Sequence, residues 1–248
     1  FVMIIKNMKI IPAILELEKE NIKNKINYLS TLKEKYVLDF NLIQIDFCDG
    51  DFVENKNWLP QNTAELKEIV DLEKNFNIEA HLMCKDTKKY FDICKDAGIK
   101  NIIIHVDNFL DSDRETFLSI LTESADTKIN LGLCSKLPLM RERGEEILSL
   151  FGSNRSQFTE SDFYLQVMGI ENIGRQGEPF AKESISVIQA NRDIFPEEEL
   201  KISVDGAVNE NTFSIYKQAG ASSIVVGSYF LKAEDENQLI ERYNKLKS

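Results

Sequence analysis

Histidine is scarce in this chain: 248 residues contain two, His81 and His105, so any imidazole chemistry is confined to those positions. The four cysteines, Cys48, Cys84, Cys94 and Cys134, lie far apart and form no C-x-x-C pair. That excludes a zinc ribbon or a disulfide framework and leaves reduced thiols of a cytoplasmic protein as the expectation. Basic residues are outnumbered, 30 Lys and Arg against 41 Asp and Glu. The net charge of −11, with no basic run, argues against a nucleic-acid partner. An acidic chain still binds anions locally, through backbone N–H groups and helix N-termini. No apolar run is long enough to span a bilayer, and the opening FVMIIKNMKI lacks the h-region and cleavage site of a leader, so no membrane partner is expected. Phe1 is an unusual first residue, and Met3 or Met8 is the expected start. No Pro/Gly/Ser-rich linker divides the sequence, which predicts one domain over residues 1–248.

What the chain does contain is an alternation. Short β-rich apolar runs occur at 9–15, 41–47, 77–83, 100–106, 128–133, 162–168, 200–205 and 222–228, separated by charged segments with helical spacing. The segment 63–76 places Leu66, Ile69, Val70 and Leu72 on one side, 86–98 and 209–220 each end in glycine, and 236–248 carries Leu239, Ile240, Tyr243 and Leu246. Strand and helix alternating eight times predict a parallel sheet, and at this length a closed (β/α)8 TIM barrel. An open doubly wound sheet is the weaker alternative, since no G-x-G-x-x-G follows the first strand.

Barrel chemistry gathers where strands end. Asp46 interrupts an apolar strand and Asp205 follows another, and both are expected at the barrel mouth. Two carboxylates facing one bound carbon can remove a proton from one face and return one to the other, as epimerisation requires. His81 completes a mixed His/carboxylate set suited to a divalent metal. His105, in IIIHVDN, lacks such partners in the sequence and reads as a structural core residue. The small residues Gly206, Ala207, Gly227 and Ser228 follow the last two strands, where backbone N–H groups of this fold take phosphate.

The motifs IPAIL, IDFCDGDFVENKNW, EAHLMC, SVDGAV and AGASSIVVGSYF resemble, in order, those of the ribulose-phosphate 3-epimerases. The resemblance implies a (β/α)8 barrel of the ribulose-phosphate-binding type that interconverts D-ribulose 5-phosphate and D-xylulose 5-phosphate in carbohydrate metabolism. It implies Asp46 and Asp205 as catalytic residues and metal ligands, His81 as a further ligand, and Zn²⁺, Mn²⁺, Fe²⁺ or Mg²⁺ as cofactor. Gly206, Ala207, Gly227 and Ser228 match the phosphate turns. Met83 and Met168 match methionines lining the floor near the reacting carbon, with Cys48 where a third is usual. Asp49 is expected to support the loop after strand 2 and Asp51 to be solvated.

The chain also departs from the family. Gln44 stands where a metal-binding histidine is usual, and an amide oxygen is a poorer ligand for Zn²⁺ than imidazole. Ala13 replaces a substrate-holding serine. The lid after strand 6, ENIGRQGEPF, keeps only Gly174 and Gly177 of a glycine-rich pattern and introduces Arg175, a candidate phosphate contact. Fewer glycines predict a stiffer lid. The departures leave two alternatives open: another phosphosugar isomerase or lyase on the same barrel, or a catalytically silent phosphosugar-binding protein. A homo-oligomer through helical faces is compatible with the fold.

Overall fold

The computed structural model describes residues 8–72 and 75–247. The expected start at Met3, and the part of the 63–76 helix at 73 and 74, lie outside the described residues. Eight strands, β1 (Lys9–Ile14), β2 (Leu42–Cys48), β3 (Asn77–Met83), β4 (Asn101–His105), β5 (Asn130–Ser135), β6 (Phe163–Met168), β7 (Ile202–Asp205) and β8 (Ser223–Val226), pair in parallel with their sequence neighbours, and β8 closes onto β1. The chain is a (β/α)8 TIM barrel. Strand ends differ from the sequence reading by at most two residues: β5 runs on to Ser135, and the run at 100–106 passes into a 3-10 turn at Val106.

The helices are α1 (Lys19–Tyr36), α2 (Thr63–Val70), α3 (Thr87–Asp96), α4 (Arg114–Asp126), α5 (Leu137–Asn154), α6 (Glu183–Ile194), α7 (Glu210–Ala219), the short α8 (Ser228–Leu231) and α9 (Glu236–Lys245). Helix α2 stops at Val70, short of the predicted span, and Leu72 is 41% exposed rather than packed with Leu66 and Ile69. Its start is fixed by Asn62, whose side chain accepts from the Glu65 N–H.

Period-two alternation sorts each strand into two faces. In β2, Ile43, Ile45 and Phe47 join the large apolar layer beneath the helices, together with Ile22, Leu66 and Phe91. The other face, Gln44, Asp46 and Cys48, points into the barrel. Inside its C-terminal end Cys48, Met83, Ile103, Cys134, Tyr164 and Met168 form a second, smaller apolar cluster. The barrel thus carries polar side chains inward on β2, β3, β4 and β6, ringed by a dry wall. Among the described residues no helix is long and apolar enough to cross a membrane.

Candidate active site

Asp46 on β2 and His81 on β3 are register partners, so neighbouring strands place them side by side. Asp205 ends β7, opposite Met168 of β6. One oxygen of each carboxylate and one His81 nitrogen all lie within 4.8 Å of one another. His81 Nδ1 is 3.1 Å from Asp46 Oδ1 and 3.4 Å from Asp205 Oδ2. The imidazole is fully buried, whereas both carboxylates keep a small exposed edge toward the mouth of the barrel. Burial disfavours a charged imidazole, but the two carboxylates outweigh it and hold the His81 pKa well above its ordinary value. Burial and the neighbouring Asp205 charge push the Asp46 carboxyl up, against hydrogen bonds from His81 and Gln44 that pull it down.

Gln44 lies below these groups, fully buried. Its Nε2 donates to Asp46 Oδ1 at 2.7 Å and to Asp205 Oδ2 at 3.0 Å, while its Oε1 is buried without a partner. The amide therefore presents a donor to the carboxylates. Half a turn about its last bond would exchange the two atoms and present the oxygen, as a cation would require. Asp46, His81 and Asp205 by themselves supply the N/O set that suits a divalent ion, and Gln44 is adaptable to one.

Sequence reasoning missed Gln166, which projects from β6 with its Nε2 3.4 Å from Asp205 Oδ2. The signal was a lone polar residue in the apolar strand FYLQVM, the same signal that selected Asp46. Asn57 was also missed. Its side chain donates to the Asp46 carbonyl at 2.5 Å and accepts from the Cys48 N–H at 2.7 Å, which clamps the end of β2. His105 corrects the sequence reading most sharply: it is not an isolated core residue, because its Nε2 lies 3.0 Å from His81 Nε2.

Above the carboxylates a cavity of about 50 Å³ is lined by Met83, Met168 and Ala13, by Gly206 and Ala207 after β7, and by Gly227 and Ser228 after β8. Ala207 adopts a left-handed φ of 52°, and its carbonyl accepts from Thr212 Oγ1 at 2.7 Å. Cys48 stands back from this cavity, fully buried, and burial raises its thiol pKa. Asp49 organises the loop after β2 by accepting from the N–H groups of Asp51, Phe52 and Lys85, and Asp51 is exposed. In the same loop Trp58 packs its ring 6.1 Å from that of Phe47.

The lid after β6 covers the cavity with Gly174, Arg175, Gln176 and Gly177. It is held from the β2 side, where Asn55 Nδ2 donates to the Gly174 carbonyl at 2.7 Å. Gly174 has a φ of 81°, and a Cβ there would stand 2.9 Å from Val53 Cγ2, so the close approach requires glycine. The half-exposed Arg175 guanidinium pairs with Glu54 at 2.5 Å. Replacing Asn55 by Ala removes one of the lid's two side-chain tethers described here. Substrate KM is expected to rise several-fold, for a hydrogen bond worth about 1 kcal/mol.

The sequence matches the Ribulose-phosphate 3 epimerase family over residues 9–148 and 153–231. The chain belongs to the ribulose-phosphate 3-epimerase family. It is 27% identical over 201 residues to the ribulose-phosphate 3-epimerase of Chlamydia muridarum, covering 79% of each chain. It is 25% identical over 232 residues to that of Schizosaccharomyces pombe, covering 94% of this chain and 90% of the relative. Among solved structures, orotidine 5'-phosphate decarboxylase from Pyrococcus horikoshii aligns with a TM-score of 0.61 at 14% identity, covering 96% of this chain and 99% of the other. 3-Hexulose-6-phosphate synthase from Salmonella typhimurium aligns with a TM-score of 0.60 at 16% identity, covering 97% of each. These two share the barrel. Among the described residues of this epimerase-family chain, Asp46, His81 and Asp205 form one of two groups whose donor atoms converge closely enough to hold a divalent ion.

Proposed function

We propose that the chain is a ribulose-phosphate 3-epimerase, interconverting D-ribulose 5-phosphate and D-xylulose 5-phosphate by proton transfer at C3. The observation that carries this reading is the convergence of Asp46 and Asp205, from strands three steps apart around the barrel, on one point at its mouth. A C3 proton next to a carbonyl is weakly acidic, so its removal needs a base together with stabilisation of the enediolate. One carboxylate takes the proton and the other returns one on the opposite face, which inverts the centre. Gln44 and Gln166 hold the carboxylates in place by N–H donation.

A divalent ion bound by Asp46, His81 and Asp205 supplies positive charge for the developing oxyanions. The sulfur-bearing and apolar wall of Met83, Met168 and Ile170 keeps water from the carbanion face. Gly206, Ala207, Gly227 and Ser228 surround the end of the cavity where the phosphate is placed, and the first N–H groups of α8 have no intrahelical acceptor. Arg175 lines the cavity from the lid and pairs one guanidinium nitrogen with Glu54, which leaves its other donors to reach a phosphate.

Incubating the protein with ribulose 5-phosphate in D2O, with Mn²⁺, Zn²⁺, Fe²⁺ and Mg²⁺ in turn, tests this. Deuterium at C3 and xylulose 5-phosphate in the product are expected. An unchanged substrate under all four ions would refute the reading. A second measurement addresses Gln44. Gln44→His is expected to tighten Zn²⁺ binding by roughly an order of magnitude in calorimetry, since imidazole is the better ligand.

A further inference from the structure

The chain's two histidines meet inside the barrel. Their rings lie 5.1 Å apart and nearly parallel, at 13°, and the two Nε2 atoms are 3.0 Å apart. Both side chains are fully buried. Ring nitrogens at this distance share one proton, because two lone pairs repel and two N–H groups collide. What faces the outer nitrogens decides which ring owns it. His81 Nδ1 faces Asp46 and Asp205, with the side-chain amides of Gln44 and Gln166 also near it, their Nε2 atoms 3.3 and 3.4 Å away. His105 Nδ1 faces Asp107 Oδ2 at 3.5 Å, within ion-pair reach but longer than a formed hydrogen bond, and has no closer partner. Asp107 is itself fixed, accepting from the Lys136 N–H at 3.2 and 3.3 Å. A carboxylate only accepts, so it favours a proton on His105 Nδ1, which leaves the Nε2 of a neutral His105 bare.

We propose that His105, set by Asp107, is a positioning residue that, once a cation lies between His81 and the two carboxylates, keeps the proton of the His81 ring on Nε2 and leaves its Nδ1 lone pair to the ion. The proposal rests on reading Asp46, His81 and Asp205 as the cation-binding group. The protons balance. With an ion at His81 Nδ1 the neutral pair holds two protons, one on His105 Nδ1 and one on His81 Nε2. Moving the second onto His105 would leave an imidazolate beside an imidazolium. Outer partners that fix a metal-binding imidazole in this way change affinity by roughly 10- to 100-fold. Cys134 Sγ also lies within 4.8 Å of both rings, which offers a competing arrangement: an ion held between the Nε2 atoms and the thiol.

The test uses the full chain with ¹⁵N-labelled imidazoles, where only two spin systems arise, and Zn²⁺ alone as probe. On the Zn²⁺-loaded chain, two-bond ¹H–¹⁵N correlations are expected to show His81 protonated at Nε2 and His105 at Nδ1. A His105 protonated at Nε2 overturns the proposal. So does a Zn²⁺ ion that Cys134→Ser abolishes, since an ion between the rings leaves no proton to share. In calorimetry, Asp107→Asn and His105→Leu are each expected to weaken Zn²⁺ by roughly 10- to 100-fold. His105→Gln, whose amide oxygen accepts where Nε2 did, is expected to recover most of that loss, and equal losses for Gln and Leu overturn the proposal. Asp107→Asn lies at the edge of the core and keeps the test open should the His105 variants not fold. No readout requires turnover, so an inactive protein with the expected spectra defeats the epimerase reading alone.

Discussion

Asp205→Asn is expected to lower the rate of epimerisation by roughly 10²- to 10⁴-fold, the usual worth of a positioned general acid or base. Asp46→Asn is expected to do the same. The two variants should differ in a way that identifies the mechanism. If, as proposed, each carboxylate serves one face of C3, removing one blocks inversion in both directions. The survivor still exchanges the proton of the epimer whose C–H it faces. Each variant is therefore expected to wash solvent deuterium into only one of the two pentulose phosphates, and the two variants into opposite ones. Loss of exchange from both substrates in both variants would mean that a single base serves both faces. Because the same oxygens belong to the candidate cation-binding group, Zn²⁺ content must be measured alongside, so that loss of an ion is not read as loss of the base.

The second large effect is on stability. Glu79 sits two residues before His81, buried inside the barrel, with Tyr164 donating to its Oε2 at 2.5 Å and its Oε1 unpartnered. Burial raises its carboxyl to about 7, against the lowering effect of the Tyr164 hydrogen bond. The folded chain thus holds this proton more tightly than the unfolded one, whose glutamate titrates near 4.5. Below 4.5 both states are protonated and the residue costs nothing. As pH rises from 4.5 to 7 the unfolded chain releases the proton first, and stability falls by about 3 kcal/mol. Glu79→Gln mimics the protonated form. Urea unfolding is expected to show the variant gaining about 3 kcal/mol on the parent between pH 4.5 and pH 8, and a pH-independent difference would contradict the burial argument.

The barrel could be read from the chain because its strands are short, rich in Ile, Val and Leu, and separated by segments of helical length. The helices α1, α4, α5 and α6 could not be delimited in the same way. Helix α5 holds Gly144 and Gly152, and its backbone leaves helical geometry at Arg143 with φ −124° and ψ 26°, so its pattern is broken in the sequence too. Asp46 and Asp205 were legible because a carboxylate at the end of an apolar strand costs desolvation that chemistry at a barrel mouth repays. The roles of Gln166 and His105 were not, because each acquires its role only from a neighbour on the next strand. His105 reaches His81 across one strand pairing, and Gln166 reaches Asp205 across another. Register and barrel stagger decide such meetings, and neither is written in a single strand. The phosphate turns were legible for their small residues, whereas the lid tether from Asn55 depends on two loops 119 residues apart.

The chain has a single indole. Trp58 rests on the strand that presents Asp46, a few residues beyond the Asn55 and Glu54 contacts that fasten the lid. Its fluorescence is therefore an optical gauge already installed beside the lid: any change there on ligand binding can be timed by stopped-flow on the unlabelled protein, with no second indole to disentangle.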